Sequence, residues 1–99
     1  ARLRPGDGGI IDSLGWVQLQ AGEIEAAVAT LERAVNLEPQ DPTILGHLGD
    51  ALWRQGRRIE ARFRWREALA LEAPADDKRK LQARLDYGLD AAPAMLATK

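Results

Sequence analysis

Apolar residues in this chain recur every three to four positions, and no segment alternates apolar and polar with period two, so the chain is expected to be all helical. Ile24, Ala27, Val28, Leu31, Ala34 and Val35 trace one helical face, which predicts a helix opening at Glu23 or its neighbour and ending at Leu37 or Glu38, before Pro39. Upstream, a helix should run from about Ile10 to Gln20 or Ala21 and break at Gly22. Asp41-Pro42 is a strong helix start, because the Asp side chain can accept from free backbone N–H groups and Pro at the first helical position loses nothing. That third helix should reach about Gln55 and turn at Gly56. A fourth should span about Arg57 to Glu72, and a fifth Asp76 to about Tyr87, with Asp76 or Asp77 as cap and Leu81, Leu85 and Tyr87 as its apolar stripe. On the fourth segment Ile59, Phe63 and Ala70 form a second apolar line beside Ala61, Trp65, Ala68 and Leu69, so both sides of it are expected to be covered, the outer one by the fifth helix.

The pattern repeats. Shifting the chain by 34 residues superposes Leu14 on Leu48, Gly15 on Gly49, Gly22 on Gly56, Ala27 on Ala61, Ala34 on Ala68, Leu37 on Leu71 and Glu38 on Glu72, without a gap. Gly inside a helix costs about 1 kcal/mol relative to Ala. Gly15 and Gly49 therefore point to a neighbouring helix that leaves no room for a side chain, with Ala27 and Ala61 as the small surfaces they would press against. Leu14, Val28, Leu31, Leu48, Leu52, Trp65 and Leu69 should fill the space around two antiparallel helix pairs.

This spacing resembles the tetratricopeptide repeat: a large apolar residue, a Leu-Gly pair, then small, large and small residues, closed by Pro. The resemblance covers about residues 8 to 74. It departs at Gln18, where a large apolar residue is usual, and at Pro74, one position late behind Ala73. It implies an all-α array of two repeats, residues 8–41 and 42–75, with a capping helix at 76–88 and a flexible tail at 89–99. Leu3 and Pro5 stand to Gly8 as Leu37 and Pro39 stand to Pro42, so residues 1–7 read as the tail of a preceding repeat, and the chain as the C-terminal repeats of a longer array. Some long bacterial members of the family serve at the cell envelope; the predominance of Arg over Lys and the abundance of Ala fit a bacterial source.

Family members bind peptides or protein surfaces in the concave groove lined by the first helix of each pair. The resemblance places Asp12, Trp16, Leu19 and Gln20 there from the first repeat, and Gly46, His47, Asp50, Trp53 and Arg54 from the second. Trp16 is suited to carry interface energy, or is core against an upstream repeat; Trp53 is expected half-buried between the helices. Members that grip chaperone C-termini use Lys, Asn and Arg in the groove. Here Asp12, Trp16, Thr43 and His47 occupy the corresponding places, and the sign of Asp12 argues against that ligand.

Composition narrows the alternatives. The chain has no Cys and one His, so no thiolate chemistry and no complete metal site is expected, and no cofactor is implied. His47 with Asp50 one turn on reads as a solvated His beside a carboxylate. Ser13 lacks a base at a usable spacing, and Asp12 and Asp50 could face each other across the groove as solvated carboxylates, so no enzyme is expected. No apolar run approaches the ~20 residues of a membrane span. The net charge of −1 conceals a division, −5 over residues 1–50 and +4 over residues 51–99, a dipole that could steer a partner. The Arg run Arg54, Arg57, Arg58, Arg62, Arg64 and Arg66 is interrupted by Glu60 and Glu67 and points around the helix, with Glu60 placed to attract Arg64. It reads as a solvated face more than as a nucleic-acid site. The function expected is a non-catalytic scaffold or adaptor that binds a protein or peptide. The alternative is self-association into homodimers through the apolar lines of Ile10 and Val17 or of Ile59 and Phe63.

Overall fold

The computed structural model describes residues 7–71 and 73–89. Five helices follow one another: α1 (Gly8–Gln20), α2 (Ile24–Leu37), α3 (Pro42–Arg54), α4 (Arg58–Ala70) and α5 (Ala75–Tyr87). Among the described residues there is no strand. The expected tail before Asp7 and the residues after Leu89 lie outside the described residues, and so does Glu72.

Local chemistry sets the boundaries. α1 begins two residues earlier than expected, because the Asp7 carboxylate accepts from the Gly9 amide at 2.7 Å and caps a start that Gly8-Gly9 alone would not favour. Asp41 caps α3 as anticipated, accepting from Thr43 and Ile44 at 2.9 and 3.2 Å ahead of Pro42. Gly22 and Gly56 adopt φ of 84° and 92°, the left-handed turn that ends α1 and α3. The following amides close back on the helix, Glu23 to Gln18 at 2.9 Å and Arg57 to Leu52 at 2.9 Å. α4 stops at Ala70, short of Glu72. α5 opens at Ala75 behind Pro74; neither Asp76 nor Asp77 caps it, and both sit in its first turn, where negative charge suits the helix dipole.

α1 with α2 and α3 with α4 form the two tightest pairs, α2 packs on α3 and α4 on α5, and α1 also meets α3. Each pair closes around a glycine, but the partner is large. A Cβ on Gly15 would lie 2.6 Å from Leu31 Cγ, and one on Gly49 would collide with the Trp65 indole. Gly15 and Gly49 thus make room for Leu31 and Trp65, and Ala27 and Ala61 are fully buried in the same core. Leu31, Ile44, Leu45, Leu48 and Trp65 are the largest wholly buried side chains.

Three sequence expectations fail on packing. Leu14 is 50% exposed, whereas its repeat partner Leu48 is 1% exposed: Leu48 lies where α3 is packed by the preceding pair, and the matching side of α1 has no such neighbour among the described residues. Ile59 and Phe63 are 86% and 56% exposed, because α5 lies over the Trp65 side of the sheetless stack and leaves the outer side of α4 bare. Tyr87 is also exposed, so the buried face of α5 is Leu81 and Ala83, with Leu85 half-buried. Leu89, expected in a loose tail, is buried against the core.

Candidate functional site

α1, α3 and α5 lie side by side as the first helices of successive units, and their shared face forms a cleft of about 350 Å³. Trp16, Pro42, Gly46 and Leu81 supply much of its apolar wall; Thr43, His47, Asp50, Asp77, Lys80 and Arg84 supply the polar groups. Gly46 lies opposite Leu81 on this lining, where a Cβ would make ordinary van der Waals contact with Leu81 Cδ2 at 3.5 Å.

Polar side chains link neighbouring helices across this face. The His47 Nδ1–H of α3 donates to Asp12 Oδ1 of α1 at 2.8 Å, the carboxylate serving as acceptor. The Trp16 ring stacks on the same imidazole, centroids 4.3 Å apart and planes 26° from parallel. His47 is therefore a half-buried tie between repeats, bonded to Asp12 and not, as the sequence suggested, a solvated neighbour of Asp50. One step along, Asp50 is 4% exposed and accepts from three donors: Trp65 Nε1 at 3.1 Å, Arg84 Nε at 2.8 Å and Arg84 Nη2 at 3.1 Å. Burial pushes the Asp50 carboxyl above its ordinary pKa; the Arg84 guanidinium and the Trp65 N–H pull it part of the way back. Asp12 and Asp50 thus do not face each other as free carboxylates. Asp12 accepts from His47 of α3, and Asp50 accepts from Arg84 of α5 and Trp65 of α4.

The other groove candidates are distributed differently. Leu19 is 2% exposed and belongs to the core, while Gln20 is exposed at the end of α1. Trp53 packs on Trp65 with ring centroids 5.4 Å apart, and Arg58 lies over it with its guanidinium carbon 4.5 Å from the centroid. It is half-buried between helices, away from the cleft, and its Nε1 is buried without a hydrogen-bond partner among the described residues. Arg54 is exposed and outside the cleft lining. The cleft thus brings together Trp16, Gly46, His47 and Asp50, with Asp12 behind His47.

Lys80 and Arg84, on the helix expected as a cap and not among the groove candidates, line the cleft together with Leu81 of its apolar stripe. The repeat register held the signal. The 34-residue step that carries Trp16 to Asp50 carries Asp50 to Arg84, and the step from Asp12 to Gly46 continues to Lys80. α5 thus occupies the place of a third repeat's first helix.

Ser13 Oγ donates back to the Gly9 carbonyl at 3.0 Å, so its hydroxyl serves the helix. Among the described residues no group of three His, Cys, Asp or Glu side chains is placed to hold a metal ion, and no helix is long and apolar enough to cross a membrane. The cleft can contact a ligand through apolar surface, one aromatic stack, a hydroxyl, the Asp77 carboxylate and the Lys80 ammonium.

Residues 17–56 match the family model of the TPR repeat. Over 74 residues, 75% of the chain, it is 32% identical to a cellulose synthase operon protein C of Komagataeibacter xylinus. Over the same length it is 31% identical to a cellulose synthase 1 operon protein C of that organism and to a cellulose synthase operon protein C of Komagataeibacter sucrofermentans. The chain spans 6% of the length of these curated relatives. No solved structure matches it.

Proposed function

The chain belongs to the tetratricopeptide-repeat family, whose repeats are non-catalytic modules of protein–protein interaction, and from that premise we propose that the cleft on α1, α3 and α5 binds a peptide or protein surface. The observation that carries the reading is the lining of that cleft: apolar walls from Trp16, Pro42 and Leu81 beside Gly46. Asp77 at the cleft forms no ion pair among the described residues, whereas Asp50, paired with Arg84, and Asp12, bonded to His47 behind the wall, are already satisfied. A ligand entering here covers apolar surface without leaving those charges unpaired, which is the condition for favourable burial. The names of the relatives tie them to cellulose synthase operons. By that likeness the segment acts as a scaffold within a larger bacterial protein, holding a partner of the same assembly.

Panning a displayed peptide library against the domain tests this reading. Selected peptides are expected to shift the amide resonances of Thr43, Gly46, His47 and Lys80. Trp16→Ala is expected to weaken them about tenfold or more, as loss of an aromatic anchor does. Because Trp16 also stacks on His47, Thr43→Arg serves as a second variant that blocks the cleft from an exposed position. Peptides whose shifts leave these residues untouched, or that bind both variants as well as the parent, would contradict the proposal.

A further inference from the structure

The outer side of α4 departs from its repeat partner in a way that packing within the chain does not explain. Positions 25, 29 and 32 of α2 are Glu25, Ala29 and Glu32, all exposed, an ordinary solvated face. The same positions of α4, 34 residues on, are Ile59, Phe63 and Arg66, also exposed. α2 shows what this side of the repeat requires for solubility, and α4 replaces it with two large apolar side chains 86% and 56% exposed.

Charge around the pair is sorted by shoulder. Positions 59, 63, 66 and 70 follow one another along a single helical line, and position 62 borders it on one side. On the other side stand Glu60 and Glu67, each held by an arginine three residues away, Arg57 at the N-cap at 2.6 Å and Arg64 at 2.8 Å. Arg62 and Arg66 form no ion pair among the described residues. The face therefore offers two exposed apolar side chains, Phe63 with the Arg64 guanidinium carbon 5.8 Å from its ring centroid, between an edge where arginine and glutamate are paired and an edge of unpaired arginine.

We infer that the outer face of α4 docks an amphipathic helix of a partner protein, one whose apolar ridge is bordered by carboxylates that meet Arg62 and Arg66. A second copy of this chain fits less well: α2 carries acids but offers nothing larger than Ala26 and Ala29 on that line, and α1 exposes Leu14 and Val17 but its one carboxylate, Asp12, is bonded to His47. An anionic membrane or a nucleic acid would press against Glu60 and Glu67 as well as against the arginines, and only two side chains would enter a bilayer. A helix partner can keep its acids to one edge. A single-helix contact of this kind is far below the ~1,600 Å² of a standard stable interface, so the expected binding is weak and reversible.

The probe is a short stapled helical peptide with Leu along one ridge and Glu along one border, titrated by fluorescence anisotropy at low and high salt. It is expected to bind, to weaken about tenfold or more as salt rises, and to shift resonances of α4. A matched peptide with Lys in place of Glu should not bind. Ile59→Ala with Phe63→Ala should abolish binding while the circular dichroism spectrum stays that of the parent, since both side chains are exposed and Ala suits a helix. Arg62→Glu with Arg66→Glu should reverse the preference toward the Lys peptide. The inference is overturned if the Glu and Lys peptides bind alike, or if neither does. It is equally overturned if phosphatidylglycerol vesicles, a single-stranded oligonucleotide or self-association engage these four residues while the Glu peptide does not. Cleft variants such as Thr43→Arg should leave this binding unchanged, which separates the face from the groove.

Discussion

Two leucines at one repeat position give the sharpest test at the scale of the residue. Leu48 is buried and Leu14 half-exposed, so Leu48→Ala should cost about 2–5 kcal/mol and Leu14→Ala less than about 1 kcal/mol. Equal losses in denaturant unfolding would contradict the packing. Trp65 is wholly buried, fits against Gly49 and donates to Asp50. Trp65→Ala should cost about 3–5 kcal/mol, a large part of a small domain's stability. Asp50 carries the pH dependence. Its folded pKa is raised, so its own contribution is fully present below its ordinary pKa and is lost as pH rises through the raised value. Arg84→Gln removes the main group that lowers that pKa. The pKa should therefore climb further, and the variant's deficit relative to the parent should be small in acid and grow toward neutral pH. A deficit independent of pH would show that Arg84 does not act through the Asp50 charge.

At the scale of the element, caps and turns explain where each helix begins and ends. Asp41→Ala should destabilise by about 1 kcal/mol through loss of the bonds to Thr43 and Ile44, read as a lowered unfolding midpoint. These features were legible in the sequence because they are local or periodic: the Asp-Pro start of α3 and the glycine turns act within a few residues, and the 34-residue register repeats the same residue types. What escaped was the direction of faces. Ion pairs on α4 settled as Arg57 with Glu60 and Arg64 with Glu67, both three residues apart, and not as the expected Glu60 with Arg64. The reach of His47 to Asp12, across 35 positions, depends on how α1 lies on α3, which periodicity alone does not fix. α5 was read as a polar cap, and carrying the register one step further would have placed Lys80 and Arg84 in the cleft.

For the whole molecule, the same step arranges one side into a cleft where Asp12 and Asp50 are held across helices by His47 and Arg84. The opposite side changes from the acidic face of α2 to the apolar and basic face of α4. The division of charge legible in the sequence thus appears as a difference between successive outer helices. The central claim is that a partner sits in the cleft, and crosslinking in the full-length protein tests it most directly. A photoreactive residue would replace exposed Thr43 at the cleft, and in a separate variant exposed Glu32 on the outside of α2. The expected result is a crosslinked partner from position 43 that is lost when Trp16→Ala is added, and none from position 32. Crosslinking from position 32 with none from position 43 would contradict it.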